Sequence, residues 1–233
     1  MSEWWTYALS DFLLFSPRTY YRLFELYNAA VWPGQVPALA LGAALAALPI
    51  LRVPWAGRAA AAILAACWLW VAWGYLYTRY ATINWAAEYM AMAFAVQALL
   101  LVAVGVLGGR LRFGQRPWVG IAFVLFAVAV QPLIGPLAGR AWAQVELFGL
   151  APDPTAVATL GVLLAVPRVR WEMFVLPLAW CAVGGATLWT MEAPDAWVLP
   201  AAGGLALTVA LARAVTGPRS CAAAESRGSP DRG

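Results

Sequence analysis

The polar side chains able to hold a ligand gather in a few short stretches of an otherwise greasy chain. Arg79, Asn84 and Glu88 share the segment 79–88, and Phe148, Asp153, Pro154 and Thr155 belong to the stretch FGLAPDPT. Asp153 reads as a helix cap, with Pro154 at the first helical position and Thr155 after it. The start of a helix carries partial positive charge and unpaired N–H groups, so it suits an anionic ligand, although the Asp153 carboxylate competes for that place. A third group, Arg18, Arg22, Glu25, Tyr27 and Asn28, rides on an amphipathic helix and forms a candidate lid over the other two.

Absences narrow the chemistry. The chain has no His, and all 15 basic residues are Arg. Without His there is no serine triad, no His-ligated haem and few routes to a zinc site. Without Lys there is no Schiff base to retinal or pyridoxal phosphate and no Walker-type phosphate loop. The three cysteines, Cys67, Cys181 and Cys221, share no short spacing, so neither a disulfide framework nor a metal knuckle is indicated. No catalytic residue, metal ligand or cofactor is expected, and the chain reads as non-enzymatic.

The elements that carry these residues follow from where charge is missing. The 233 residues are 64% hydrophobic and only 11% charged, against about 25% charged in soluble domains. Seven windows contain no Asp, Glu or Arg: 29–51, 59–78, 89–109, 117–139, 154–167, 173–191 and 196–212. A hydrocarbon layer about 30 Å thick takes roughly 20 helical residues to cross, so six windows suffice. The window 154–167 is short, and Pro167 discourages its extension. The arginines decide between a crossing and a re-entrant turn, because cytoplasmic loops are enriched in basic residues. With seven crossings, Arg52, Arg58, Arg110, Arg112, Arg116, Arg168, Arg170, Arg213, Arg219, Arg227 and Arg232 fall on one side, and only Arg18, Arg22, Arg79 and Arg140 on the other. A re-entrant turn spoils that separation.

The expected fold is therefore all-α: a polytopic bundle of seven transmembrane helices in a bacterial inner membrane, with the amino terminus outside and the carboxyl terminus cytoplasmic. Residues 1–28 form an outer interfacial amphipathic segment, 29–212 the membrane domain and 213–233 a disordered cytoplasmic tail rich in Gly, Ser and Pro. Glu3 stands where a cleavable signal would need basic charge, so the amino-terminal segment is expected to stay attached. Within it, Ser16 caps a helix that starts at Pro17, and Tyr20, Leu23, Phe24 and Tyr27 recur at helical spacing opposite Arg18, Arg22 and Glu25.

Small residues at intervals of four, Ala38–Gly42–Ala46 and Ala202–Ala206–Ala210, offer smooth stripes for helix contact. The 14 Trp residues mostly fall near window ends and predict aromatic belts, with Trp68, Trp70 and Trp180 the deep exceptions. Polar residues inside the windows are few, Gln97, Gln131, Thr159, Thr187 and Thr208 chief among them. Gln97 and Gln131 are expected to cross-link helices. No buried charge is expected, which speaks against a proton-coupled antiporter or a pump.

The segments FSPRTYYRLFELYN and AVWPGQ, then WLWVAWGYLYTRYATIN, FGLAPDPTAVATLGVLL and PLAW, resemble an uncharacterised bacterial family of multi-span membrane proteins, some of whose members are labelled permeases. The likeness runs over residues 12–210. It implies membrane residence and a shared outer-face motif, and it supplies no reaction. The family pattern often has a cysteine between the two prolines where this chain has Asp153, so a thiol or metal role for that loop does not transfer. The function expected is that of a permease-like transporter or small-ligand-binding membrane protein whose site opens outward. The alternative is a structural or accessory subunit of a larger membrane complex. The partners expected are the lipid bilayer and a small molecule or membrane protein, not nucleic acid.

Overall fold

A computed structural model describes residues 15–216, and among them there is no strand. The helices are α1 (Pro17–Ala30), α2 (Gln35–Leu51), α3 (Ala56–Thr82), α4 (Ala87–Leu107), α5 (Trp118–Leu137), α6 (Pro152–Ala165), α7 (Trp171–Thr190) and α8 (Val198–Thr216). Each charge-free window is helical over most of its length. Five helices, α3, α4, α5, α7 and α8, are long and apolar enough to cross a membrane, or six spans if the bent pair α1–α2 is one. The 14-residue α6 does not reach that length. The tail expected to be disordered lies almost wholly outside the described residues.

α1 starts as its sequence dictates. Ser16 Oγ accepts the Thr19 N–H at 3.2 Å, and Pro17 occupies the first turn. Tyr20, Phe24 and Tyr27 are buried while Arg18 and Arg22 face outward. The first window divides here: Ala29 and Ala30 complete α1, and the chain turns by 96° before α2. α1 therefore runs across α2 rather than continuing it.

The core is α6. Every residue from Pro152 to Ala165 is buried, so this helix is a central spine and not a face toward surroundings. Its two ends are fastened at opposite ends of the molecule. At one, Tyr27 Oη donates to the Leu150 carbonyl at 3.2 Å; at the other, Gly114 N donates to the Ala165 carbonyl at 3.0 Å and Arg213 donates to that of Leu164. Close approach needs small residues. A Cβ on Gly120 would stand 2.4 Å from the Gly161 carbonyl oxygen, and one on Gly161 would stand 2.8 Å from that of Gly120. The alanine stripes behave likewise: Ala38, Gly42 and Ala46 are buried, with Gly42 against Val128, and Ala206 and Ala210 are fully buried.

The outward faces are apolar. Leu99, Val175 and Leu205 are exposed in mid-helix, and Trp32, Trp73, Trp85, Trp142, Trp189 and Trp197 ring one end while Trp55, Trp118 and Trp171 ring the other. Trp68 and Trp180 are buried among neighbouring side chains, and Trp70, 48% exposed, donates to Tyr27 Oη at 2.9 Å. Gln97 ties α4 to α7 through the Met173 carbonyl at 3.1 Å, as expected of a cross-linking amide.

Candidate functional site

Arginines gather at one end of the bundle, and tyrosines and carboxylates at the other. At the second end, α1, the turn after α3, the loop 138–151 and the turn 191–197 meet. Their meeting places Arg140, Glu146, Asp153 and Asp195 around a cavity of about 20 Å³, together with Gln131. That is room for about one water molecule. The Arg140 guanidinium pairs with Asp195 through Nη2 and reaches Glu146 Oε1 from Nη1 at 3.4 Å. The paired side chains are only 10–15% exposed. Tyr21 of α1 covers the guanidinium, with Arg140 Cζ 4.9 Å from its ring centroid.

Three carboxyl groups share one guanidinium, so the cluster cannot balance its charge if all are ionised. Burial, reinforced by the Asp153 carboxylate and opposed by Arg140, pushes Glu146 well above the usual carboxylate range. The Glu146 carboxyl is within hydrogen-bonding reach of Asp153, so a proton held on Glu146 and donated to Asp153 satisfies both. The other Asp153 oxygen, Oδ1, accepts the Trp180 indole N–H at 2.8 Å. Three buried atoms at the cluster have no partner among the described residues: Gln131 Oε1, Arg140 Nε and Asp195 Oδ1. A buried polar atom left unpaired costs about 1–3 kcal/mol, so this concentration is not a device for stability.

The expectation that no charge is buried is overturned: Asp153 is 3% and Asp195 8% exposed. The sequence places Arg140, Glu146 and Asp195 in loops between windows, where charge ordinarily meets water. The fold turns those loops inward over the end of α6. Gly135 makes room for this. The space a side chain would fill receives the guanidinium so closely that a Cβ there would stand 2.3 Å from Arg140 Nη2, and the Gly135 carbonyl accepts the Arg140 N–H at 2.9 Å. Gly135→Ala should therefore displace the guanidinium while α5 stays helical. The expected result is an unchanged far-ultraviolet circular dichroism spectrum with a melting temperature lowered by several degrees, equivalent to about 1–3 kcal/mol.

The residues singled out from sequence fall in three places. Asp153 lies in the cluster. It is not the cap, however: Ala151 is the cap residue and Pro152 takes the first helical position, which leaves Asp153 in the first turn with its side chain turned to Trp180. Pro154 is buried in the same turn, and Thr155 Oγ1 accepts the Gly149 N–H at 3.0 Å and donates to the Ala151 carbonyl at 2.7 Å, fixing the turn. Phe148 is fully buried and packs near Gly42. Arg79 and Glu88 are exposed, and Asn84 caps its own turn by accepting the Ala86 N–H at 3.0 Å; none of the three lines the cavity.

The lid candidates divide as well. Tyr27 and Asn28 pin α1 down, Asn28 by donating to the Ala143 and Val145 carbonyls at 2.9 Å each. Arg22 and Glu25 pair with each other on the outer side, beside Arg18. Beneath α1 the rings of Tyr20, Phe24, Tyr75 and Tyr80 form one packed cluster, Phe24 stacking on Tyr75 at 4.7 Å and Tyr75 on Tyr80 at 5.9 Å. Arg140, Glu146, Asp195, Trp180 and Gly135 were not among the candidates from sequence. The signal available for the charged three was that a charge-poor chain spends both signs on two neighbouring loops.

The model of a family of unknown function, DUF6064, matches residues 18–220. The chain belongs to that family. The match takes in the helices from the second residue of α1 onward and the whole of the buried cluster, in agreement with the family resemblance read from sequence. No curated protein and no solved structure matches the chain.

Proposed function

We propose that the chain is a permease-like integral membrane protein whose working site is the Arg140–Glu146–Asp153–Asp195 cluster, and that this site binds and releases a proton. The observation that carries the reading is the burial of three carboxyl groups against a single guanidinium, with unpaired polar atoms facing a cavity. Ionisable groups buried away from water are costly, and in membrane proteins such groups serve proton and ion pathways. α1, with Tyr21 over the guanidinium, is the cover through which the site meets one aqueous side. In this reading α2 and α6 cross the membrane with the five longer helices, the bilayer thinning locally around α2, while α6 is enclosed by its neighbours and meets no lipid. The arginine-rich end is then cytoplasmic, in the inner membrane of a bacterium, and the tyrosine end outside. The protein is read as non-enzymatic.

Proteoliposomes loaded with a pH-sensitive dye test it. Under an imposed pH gradient, vesicles holding the protein should lose the gradient several-fold faster than empty ones, and Glu146→Gln should remove the excess rate while Glu88→Gln keeps it. An excess rate that survives Glu146→Gln, or none at all, contradicts the proposal.

A further inference from the structure

Among the described residues, the opposite end of the bundle holds the largest concentration of positive charge without an ion-pair partner. Where α2 ends and α3 begins, a pocket of about 570 Å³ opens between that junction and residues 109–115. Arg52, Arg58 and Arg112 all line it, and no Asp or Glu does. Among the described residues, none of the three guanidinium groups makes an ion pair or a side-chain hydrogen bond, unlike Arg22, Arg140 and Arg213, which do. The three side chains are exposed around one concavity, where water and salt screen their mutual repulsion and an anion bound between them would relieve it further.

The backbone is shaped to hold the arginines there. Arg52 caps α2 in the left-handed region at φ 52°, ψ 27°, a conformation that a side chain disfavours and that turns the chain toward the pocket. Gly109 is also left-handed, at φ 57°, and the Arg58 guanidinium lies against it: a Cβ at Gly109 would stand 3.0 Å from Nε and Nη2. Gly57 lets the wall close, since a Cβ there would overlap the Leu111 carbonyl oxygen at 1.6 Å. Gln115 adds a neutral donor at the rim, and Ile50, Leu51 and Trp55 are exposed beside it.

We infer that this pocket binds a phosphate-bearing anion, with Arg52, Arg58 and Arg112 as the ligands of the phosphate. Guanidinium groups present planar pairs of donors that match phosphate oxygens, and three of them satisfy an anion with several acceptors better than a single carboxylate. The phosphate has two sources, an anionic phospholipid headgroup whose chains run past Ile50 and Leu51, or a soluble phosphate ester. The inference concerns the end away from Glu146 and stands apart from the proton site.

The test uses the full chain in a neutral maltoside detergent, with binding followed by thermal stabilisation and native mass spectrometry. Two probes are titrated separately, phosphatidylglycerol in mixed micelles and glycerol phosphate in solution. Either probe should raise the melting temperature, and its affinity should fall about tenfold or more in Arg52→Gln/Arg58→Gln/Arg112→Gln. Stabilisation by phosphatidylglycerol alone assigns the lipid source, and stabilisation by glycerol phosphate assigns the soluble one. Arg168→Gln/Arg170→Gln removes charge at the same end outside the pocket and should leave the affinity unchanged. No response to either probe, or an equal loss in both sets of variants, overturns the inference. A triple variant that fails to fold is replaced by the single change Arg112→Gln, judged by the same outcomes with a smaller loss.

Discussion

Arg140→Met is expected to destabilise the protein by about 3–5 kcal/mol, the usual effect of removing one member of a buried ion pair. Among the described residues the guanidinium is the only positive group lining the cavity, and its loss strands Asp195, which pairs with it directly, and leaves Glu146 and Asp153 with each other and Trp180. The cost is electrostatic and not steric, so it should be recoverable. Arg140→Met combined with Asp195→Leu removes both members of the closest pair and should regain more than half of the loss. Equilibrium unfolding in mixed micelles checks both variants. A single change costing under about 1 kcal/mol would mean that the charges are in contact with water, as surface pairs are.

The second large effect lies at the spine. Gly120→Val should cost about 3 kcal/mol or more, because the clash is with main chain that cannot step aside. A Cβ alone would meet the Gly161 carbonyl oxygen at 2.4 Å, the Ala165 nitrogen at 2.6 Å and the Ala165 Cβ at 2.8 Å. α6 is enclosed along its whole length, so it has no free side toward which to retreat. Gly204→Ala is the matched control: nothing lies within 4 Å of its Cβ position, and the change should be neutral or stabilise α8 by up to about 1 kcal/mol. Thermal melting of the two variants in one detergent compares them directly, and equal melting temperatures would contradict the packing described.

These two sites mark the boundary of what composition and periodicity reveal. The helical windows were legible because ionic groups are excluded from them, and α1 was legible because Ser16 and Pro17 announce its start. The stripe Ala38–Gly42–Ala46 and the aromatic rings at the two ends followed from the same local rules. The start of α6 was misplaced because Pro152 and Pro154 both suit a first turn, where no amide hydrogen bond is forfeited, and spacing alone does not choose between them. The spine role of α6 was not legible, since a short apolar helix looks the same whether lipid or protein surrounds it. The charge cluster was not legible for a different reason. Arg140 and Asp195 are 55 residues apart, each in a loop, and only the folding of both loops over α6 brings them together. The groove at Gly135 that admits the guanidinium is likewise a property of the assembled bundle.

The proton on Glu146 is the central physical claim, and infrared difference spectroscopy of the protein in lipid reads it directly. On raising the pH above the range in which exposed carboxyl groups ionise, the intact chain should keep a protonated-carboxyl stretching band, because burial beside Asp153 raises Glu146 above the usual carboxylate range. Glu146→Gln should show no such band, and Glu88→Gln should show it unaltered. A spectrum of the intact chain with no protonated carboxyl above that range, or a band that persists unchanged in Glu146→Gln, would contradict the assignment.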